Sequence, residues 1–479
     1  MAIPVPFRAI IVGSGLVGLT AAHVFLKAGI DFIILEQHDT PLSIYGSALA
    51  LWPQTFRIFD QLGLLDAVQP ILDRVPYGVV LSTEDARVRY NDDRLELFET
   101  NHGHGIRIIH RPEMVKFLYE SLLDSAKSRL LMKKKVTSIA VSEKGVTVSC
   151  DDGTSYKGSI VIGADGVRSQ TRLLMQALKT GKQPDEAEAQ KSPYITTYRL
   201  YCGTIPVLPG LSPNTRYDGT GNGVSTQILN GASRAWFGLY EKLSSPTSQR
   251  VGYTEEDRRS ILQRWGHLYM APGWTLREVN DRRIGEPMLI DLEEGLVDDW
   301  FHDRIVLVGD AVRKLEPHAG IGYNAGITDL VVLVNGLRRL LHGDESPSTG
   351  ALNKLFGAYQ ADRKEDTKKG ADLSMIAARV LAWPSWRYRL LAKYALPYLP
   401  LNKLNMRNTV GPFISKTPVF EWLDERALPA SLIPWTAHPT LYAKDTIKYS
   451  RQPPILQWIA VLVLPLLAAF ICSYWLSRQ

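Results

Sequence analysis

Cysteine is scarce. The chain carries three, Cys150, Cys202 and Cys472, far apart and with no CxxC pair, which fits a reducing compartment and argues against a metal site. No basic cluster is interleaved with aromatics, so nucleic acid is not an expected partner. There is no internal repeat and no low-complexity tract, which argues against solenoids and disordered arrays. Charge is nearly balanced: 55 Lys and Arg against 49 Asp and Glu leave +6. That small excess reads as a solvated surface, or as weak attraction to anionic cofactors or headgroups. No secretory signal is expected, because a buried strand already begins by Arg8. With 45% hydrophobic and 22% charged residues over 479 positions, the chain is globular and long enough for two or three domains.

The first informative stretch is residues 8–22, an apolar run from Ala9 to Val12, glycines at Gly13, Gly15 and Gly18, and a helical pattern from about Leu16. A tight turn needs Gly13, a pyrophosphate approaching the backbone needs Gly15, and close strand–helix packing needs Gly18. The helix N-terminus would turn its free N–H groups and positive dipole end toward the phosphates. A second strand at 32–36 ends in Glu36, placed to accept hydrogen bonds from a ribose. A dinucleotide is the expected ligand.

Small residues around Ala50 lead into a helical pattern at 55–65, suiting backbone laid against a flat ring or simply a plugged loop. Arg111 precedes a helix opened by Pro112 and either reaches a cofactor or holds a surface carboxylate. Residues 159–169 form another buried strand and a turn containing Asp165-Gly166, whose carboxylate can cap backbone N–H groups and face a cofactor. Apolar residues tend to alternate from 194 to 240, predicting a β-rich second domain that walls a substrate pocket. Tyr217 would lie on it, in a structural or a catalytic role. A strand from about 303 ends in Gly309-Asp310 and is followed by Pro317, Gly320, Gly322 and Asn324, then by a helix at 329–341. That pattern suits an acid bonding a ribityl hydroxyl, with N–H groups near the far end of a ring system. Residues 383–398 are aromatic and basic and lie either in the core or on a membrane surface.

One long hydrophobic run stands out. Residues 455–476 carry no charge, with Trp458, Tyr474 and Trp475 near the ends and Pro465 inside. This length predicts a transmembrane helix. Lys444, Lys448 and Arg451 before it, against Arg478 after it, would keep the catalytic part cytosolic.

Three separated motifs thus stand in order: Gly13-x-Gly15-x-x-Gly18 with Glu36, Asp165-Gly166, and Gly309-Asp310. Over about residues 7–362 the chain resembles the class A flavin-dependent monooxygenases, which share the fold of para-hydroxybenzoate hydroxylase. Within that group the stretch 51–54, the entry at 110–114, the continuation after Asp310 and the apolar C-terminus are similar to fungal FAD-dependent epoxidases of meroterpenoid and indole-diterpene biosynthesis. The resemblance implies FAD contacts at Glu36, Ala50, Arg111, Asp310 and Tyr323, and an active-site tyrosine at Tyr217. Ala50 and Tyr323 stand where relatives tend to carry glycine and alanine, so Tyr323 is expected to crowd the flavin. Arg313 stands where histidine is common.

The expected fold is α/β: a discontinuous Rossmann-like FAD-binding domain (1–75, 105–175, 285–360), a β-rich substrate domain (76–104, 176–284), a helical and irregular C-terminal region (361–450) and one transmembrane helix (455–476). The expected cofactors are FAD and NAD(P)H as transient reductant, since no second glycine fingerprint is present. The expected reaction is insertion of one oxygen atom from O2 into a terminal prenyl olefin of a meroterpenoid or related terpenoid. The expected partners are a hydrophobic prenylated substrate, a membrane (that of the endoplasmic reticulum) and a downstream terpene cyclase. An aromatic hydroxylase of the salicylate type and a non-catalytic flavin-fold escort are the alternatives.

Overall fold

The structure is a computed structural model, and it describes residues 6–42, 46–182, 191–383, 385–395 and 401–439. In chain order, the elements that build the site are β1 (Arg8–Val12), α1 (Leu16–Ala28), β2 (Asp31–Leu35), β3 (Ala48–Leu51) and α2 (Pro53–Leu62). Then come β4 (Tyr77–Ser82), β5 (Val88–Asp92), α3 (Glu96–His102), β6 (Arg107–His110), α4 (Arg111–Glu120), β7 (Ile160–Gly163) and α5 (Gln170–Thr180). The chain continues through β8 (Lys191–Ile205), β9 (Thr215–Thr220), β10 (Val224–Asn230), β11 (Ala235–Gln249), α6 (Glu255–Trp265) and α7 (Leu276–Asp281). It closes with β12 (Ile284–Leu296), β13 (Ile305–Leu307), α8 (Gly322–Gly343) and α9 (Thr349–Ala382).

The first sheet has six strands. Its core runs β13, β7, β1, β2 in parallel, with Ile10 beside Val161 on one side and Ile33 on the other. Both faces of such a sheet are covered, so its strands are continuous apolar runs. Ala9, Ile10, Ile11, Ile160, Val161 and Ile162 are wholly buried. The carboxyl ends of β1, β7 and β13 lead directly into Gly13, Ala164-Asp165 and Val308-Gly309. Open α/β sheets bind ligands at this edge.

The second sheet has eight strands, with β12, β8, β11, β10, β9, β4 and β5 as successive neighbours. All pairings along it are antiparallel except β9 with β4, where Tyr217 lies beside Val79. Strand alternation gives it two different faces. One carries Tyr201, Tyr217, Ile228, Phe237 and Leu239, packed in a cluster with residues of α6 and α7. The other carries Leu200, Cys202, Trp236 and Tyr240. Both sheets belong to one compact unit, Met1–Pro439.

The expectation of a membrane-spanning helix is corrected. Among the described residues no helix is long and apolar enough to cross a membrane. The long helices that exist are interrupted by charge: α8 carries Asp329, Arg338 and Arg339, and α9 carries Arg363, Lys364, Glu365 and Asp366. Residues 455–476, with Lys444, Lys448, Arg451 and Arg478, lie outside the described residues. No described helix supports the single-pass anchor or the membrane location inferred from it.

Candidate active site

The glycines of the first turn are held by contact. Gly13 has φ +98°, and a Cβ there would lie 2.8 Å from the Ala164 carbonyl oxygen and 2.9 Å from the Asp165 Cα. A side chain on Gly18 would overlap the Gly13 carbonyl oxygen, so α1 can seat on its strand only with glycine there. Around Gly15 there is open space. Gly15 caps α1 with no side-chain hydrogen bond, and the first turn holds no acidic residue. The N-terminal N–H groups and the dipole are therefore left facing an anion site.

Glu36 is buried, 6% exposed, and takes hydrogen bonds from the Ser14 N–H and hydroxyl, both at 2.8 Å, and from the His38 N–H at 3.0 Å. Burial works to raise its pKa, but these donors prevail and hold the carboxyl below its ordinary value. It is a fixed carboxylate beside the glycine turn. Asp165 accepts from the Ser169 hydroxyl at 2.5 Å and from the Thr171 N–H and hydroxyl at 2.9 Å, so it caps α5. Burial pushes its pKa up against those bonds.

Gly309 closes on the same place from the far side of the sheet. With φ +63°, its Cα faces Val17 on α1, and a Cβ would come to 3.1 Å of the Val17 side chain. Its N–H donates to Asp329 at 2.9 Å, and Asp329 is pinned in turn by buried Arg313 and Arg363. Arg313, in the position where a histidine was the family expectation, is thus a structural cation. Asp310 is partly exposed and pairs with Lys314 at 2.7 Å. Its carbonyl accepts from the Tyr194 hydroxyl at 3.1 Å.

Arg111 is exposed at its surface, yet desolvation pulls its pKa down against the attraction of Asp310. Its N–H donates to the Ser47 carbonyl at 2.9 Å. Ala50 lies on β3, and its carbonyl accepts from the Asn324 amide at 2.9 Å. Gly320, φ +63°, lies against it, where a Cβ would be 2.5 Å from the Ala50 methyl. Gly322 opens α8 with free space around it. Tyr323 turns inward: it is 6% exposed, and its hydroxyl is 2.8 Å from that of Thr20 on α1. Its ring packs in the hydrophobic core that includes the strands of the first sheet.

Tyr217 also points away. Its ring is packed with α6 and α7, and its hydroxyl accepts from the Ser212 N–H at 2.9 Å. The alternate positions of these strands form the opposite face of the sheet. Cys202 is buried with its thiol against Ser47, and burial pushes it up to about 12. The Trp236 indole donates to His110 Nδ1 at 3.2 Å. Desolvation lowers the His110 pKa, consistent with a neutral ring accepting at Nδ1. Tyr240 donates to Gln227 Oε1 at 3.3 Å, Gln227 donates to Asp218 at 2.9 Å, and Asp218 pairs with buried Arg216, which also holds Asp92. The Tyr240 ring meets that of His318 at 3.7 Å between centroids. Sequence reasoning had not picked out His318, Tyr240 or Cys202. Alternation along β11 separates Trp236 and Tyr240 from Phe237 and Leu239, but only the sheet's packing tells which set lies against α6 and α7.

A doubly wound sheet whose glycine turn, acids and helix N-terminus converge at one edge defines a dinucleotide-binding flavoprotein architecture. The comparisons agree. The family described as FAD binding domain matches residues 7–189 and 278–372. The FAD-dependent monooxygenase srdH of Neurospora crassa is 34% identical over 407 residues, 82% of this chain and 90% of its own length. The FAD-dependent monooxygenase ausM of Penicillium brasilianum is 31% identical over 82% of each chain. In fold, the chain resembles a single-substitution variant of Klebsiella pneumoniae HpxO complexed with FAD, with TM-score 0.69 and 19% identity over 85% of this chain and 99% of that one. A salicylate hydroxylase substrate complex gives TM-score 0.65 at 18% identity, over 85% and 97%. The chain belongs to the class A FAD-dependent monooxygenase family, with FAD as its cofactor and NAD(P)H as its reductant.

Proposed function

We propose that this monooxygenase epoxidises a terminal olefin of a prenylated small molecule, with the FAD laid from α1 to the Asp310 turn. The open space at Gly15, the uncapped first turn of α1 and the fixed Glu36 carboxylate fit the adenosine and pyrophosphate end. Asp310, with one carboxylate face toward solvent, suits the ribityl chain, and Arg111 the flavin side. Ala50, Gly320 and the N–H groups at Gly322 and Tyr323 would border the ring through backbone. Asp165 shapes the turn that Gly13 packs on. Bound FAD, reduced by NAD(P)H, supplies the oxygen chemistry with O2. The chain orients the substrate and excludes water.

The observation that carries the olefin reading is the wall. Leu200, Cys202, Trp236 and Tyr240 share one apolar face of the second sheet, and the buried Arg216 of that sheet is already engaged by Asp92 and Asp218. A site built for a carboxylate-bearing phenol wants an uncommitted cation there. The wall instead favours a neutral, largely apolar group. Tyr217, engaged from behind by Ser212, would support the wall rather than touch substrate.

Incubation of the holoenzyme with NADPH, O2 and a farnesylated phenol is expected to give a product heavier by 16 mass units that opens to a side-chain diol in acid. A product hydroxylated on the aromatic ring would replace this reading with the hydroxylase one. Asp310→Ala is expected to lose retained FAD; undiminished flavin content would remove Asp310 from the cofactor site.

A further inference from the structure

The carboxylate of Glu36 is already filled. An ionised carboxylate offers about four acceptor positions, and four N–H or O–H groups point at this one. Oε2 accepts from the Ser14 N–H and hydroxyl, both at 2.8 Å, and Oε1 from the His38 N–H at 3.0 Å and from Nδ1 at 2.6 Å. A charged carboxylate only accepts, so Nδ1 carries a proton whether the ring as a whole is neutral or charged.

The four donors are not equally held. The Lys134 and Lys133 N–H groups donate to the Glu36 and His38 carbonyls at 2.7 and 2.9 Å, and the Glu36 N–H donates to the Leu131 carbonyl at 2.9 Å. That fixes the backbone from which the His38 N–H projects. Ser14 is 2% exposed, in the turn between Gly13 and Gly15. The His38 side chain, by contrast, is 70% exposed above a Glu36 side chain that is 8% exposed. Glu36 is the imidazole's one hydrogen-bond partner among the described residues. Rotation about the His38 side-chain bonds releases the ring without disturbing the pinned backbone.

We infer that His38 is a displaceable cover on the cofactor site: a hydroxyl of the adenosine ribose takes the place of its imidazole at Glu36 Oε1, and the ring turns out into solvent. This rests on the reading above, in which Glu36 meets the adenosine end of FAD, and deepens it. The ribose exchanges one hydrogen bond to the carboxylate for another, so the net gain at this position is small while His38 competes. His38 thus sets how strongly the chain distinguishes FAD from a flavin that lacks those hydroxyls.

Exchange at equilibrium tests this without turnover. Full-length holoenzyme is incubated with an excess of FAD and its 2′,3′-dideoxyadenosine analogue together, and the ratio of the two flavins retained is read by chromatography. The analogue leaves the imidazole in place, whereas FAD must displace it. His38→Ala is therefore expected to raise the preference for FAD by about fivefold, the worth of a partly exposed charge-assisted bond. His38→Phe keeps a ring but has no N–H to donate, and should raise the preference equally. A rise in His38→Ala alone assigns the effect to bulk and overturns the displacement. A preference for FAD that is present but equal in all three proteins overturns the displacement and leaves the ribose at Glu36. A preference that falls in His38→Ala makes the imidazole a ribose contact in its own right, which also overturns it. No preference in any of the three removes the ribose from Glu36 and overturns both readings.

Discussion

Gly18 lacks a side chain because the Gly13 carbonyl occupies the space one would fill. Gly18→Ala must push α1 off β1, and overpacking of this kind costs about 3 kcal/mol. We expect a lowered unfolding midpoint and weaker FAD retention together, checked by denaturant titration and flavin release. Gly320 is a more separable case. Its burden has two parts, a φ of +63° that disfavours any L side chain and a methyl clash with Ala50. Gly320→Ala is expected to cost about 2–3 kcal/mol, of which Ala50→Gly should recover all but the backbone strain of ~1 kcal/mol. A double-mutant cycle read by denaturation measures that coupling; strict additivity would show that the two residues do not share the space. Tyr217 and Tyr240 make a third pair. Tyr217→Phe strands the Ser212 N–H and should cost about 1–2 kcal/mol of stability with flavin reduction unchanged. Tyr240→Phe should alter substrate affinity. A hundredfold loss of kcat in Tyr217→Phe at unaltered stability would establish it as the active-site tyrosine.

Among elements, helix α3 carries the clearest pH signal. His102 is wholly buried, stacks on Trp435 at 5.2 Å, and has neither ring nitrogen hydrogen-bonded among the described residues. Burial lowers its pKa from 6.5 to about 4. The folded state therefore prefers the neutral ring, and the unfolded chain binds the proton more readily. This contribution is fully present above pH 6.5 and is lost as pH falls through the folded value near 4. It amounts to at most about 3 kcal/mol. His102→Phe, which can still stack but cannot titrate, should flatten the fall in urea midpoint between pH 7 and 4.5 relative to wild type. An identical slope would assign the acid sensitivity elsewhere. How much was legible also divides by element. The parallel centre of the first sheet was readable because β1, β2, β7 and β13 are short and largely apolar and lead into glycine or acid, and a parallel sheet demands that pattern. The second sheet announces alternation but not orientation: Tyr217 and Tyr240 are equally good strand residues, and only the packing of α6 and α7 against Tyr217 separates the two faces. His38 was invisible for another reason. Its significance is the fourth bond to the Glu36 carboxylate, which exists only once Ser14 and the backbone at 36–38 have been folded around that acid.

At the scale of the molecule, the most consequential long-range tie joins α2 to the segment 416–438. Arg57 has a fully buried side chain, and its guanidinium meets Glu425 (Nη2 to Oε2 2.7 Å), the Ala437 carbonyl at 2.9 Å and the face of Trp435 at 4.4 Å. One turn along, the Gln61 amide bonds both backbone groups of Phe420 and the Leu423 carbonyl. Asn335 on α8 takes the Val419 carbonyl and the Trp422 indole. The segment thus belts the cofactor sheet to α3, whose Thr100 and Asn101 carbonyls accept from Leu432 and Ile433. A buried ion pair is a poor source of net stability when whole but a severe loss when halved, because the surviving charge stays desolvated. Glu425→Ala should therefore cost about 3–5 kcal/mol, whereas the paired change Arg57→Met with Glu425→Leu should cost far less. If the belt is what the pair secures, limited proteolysis of Glu425→Ala will cut within 416–438 well before the sheets, and flavin will be released in step with that cut. Equal protease resistance in Glu425→Ala and wild type would mean that Gln61, Asn335 and the Trp435 contact hold the belt without help from the charges.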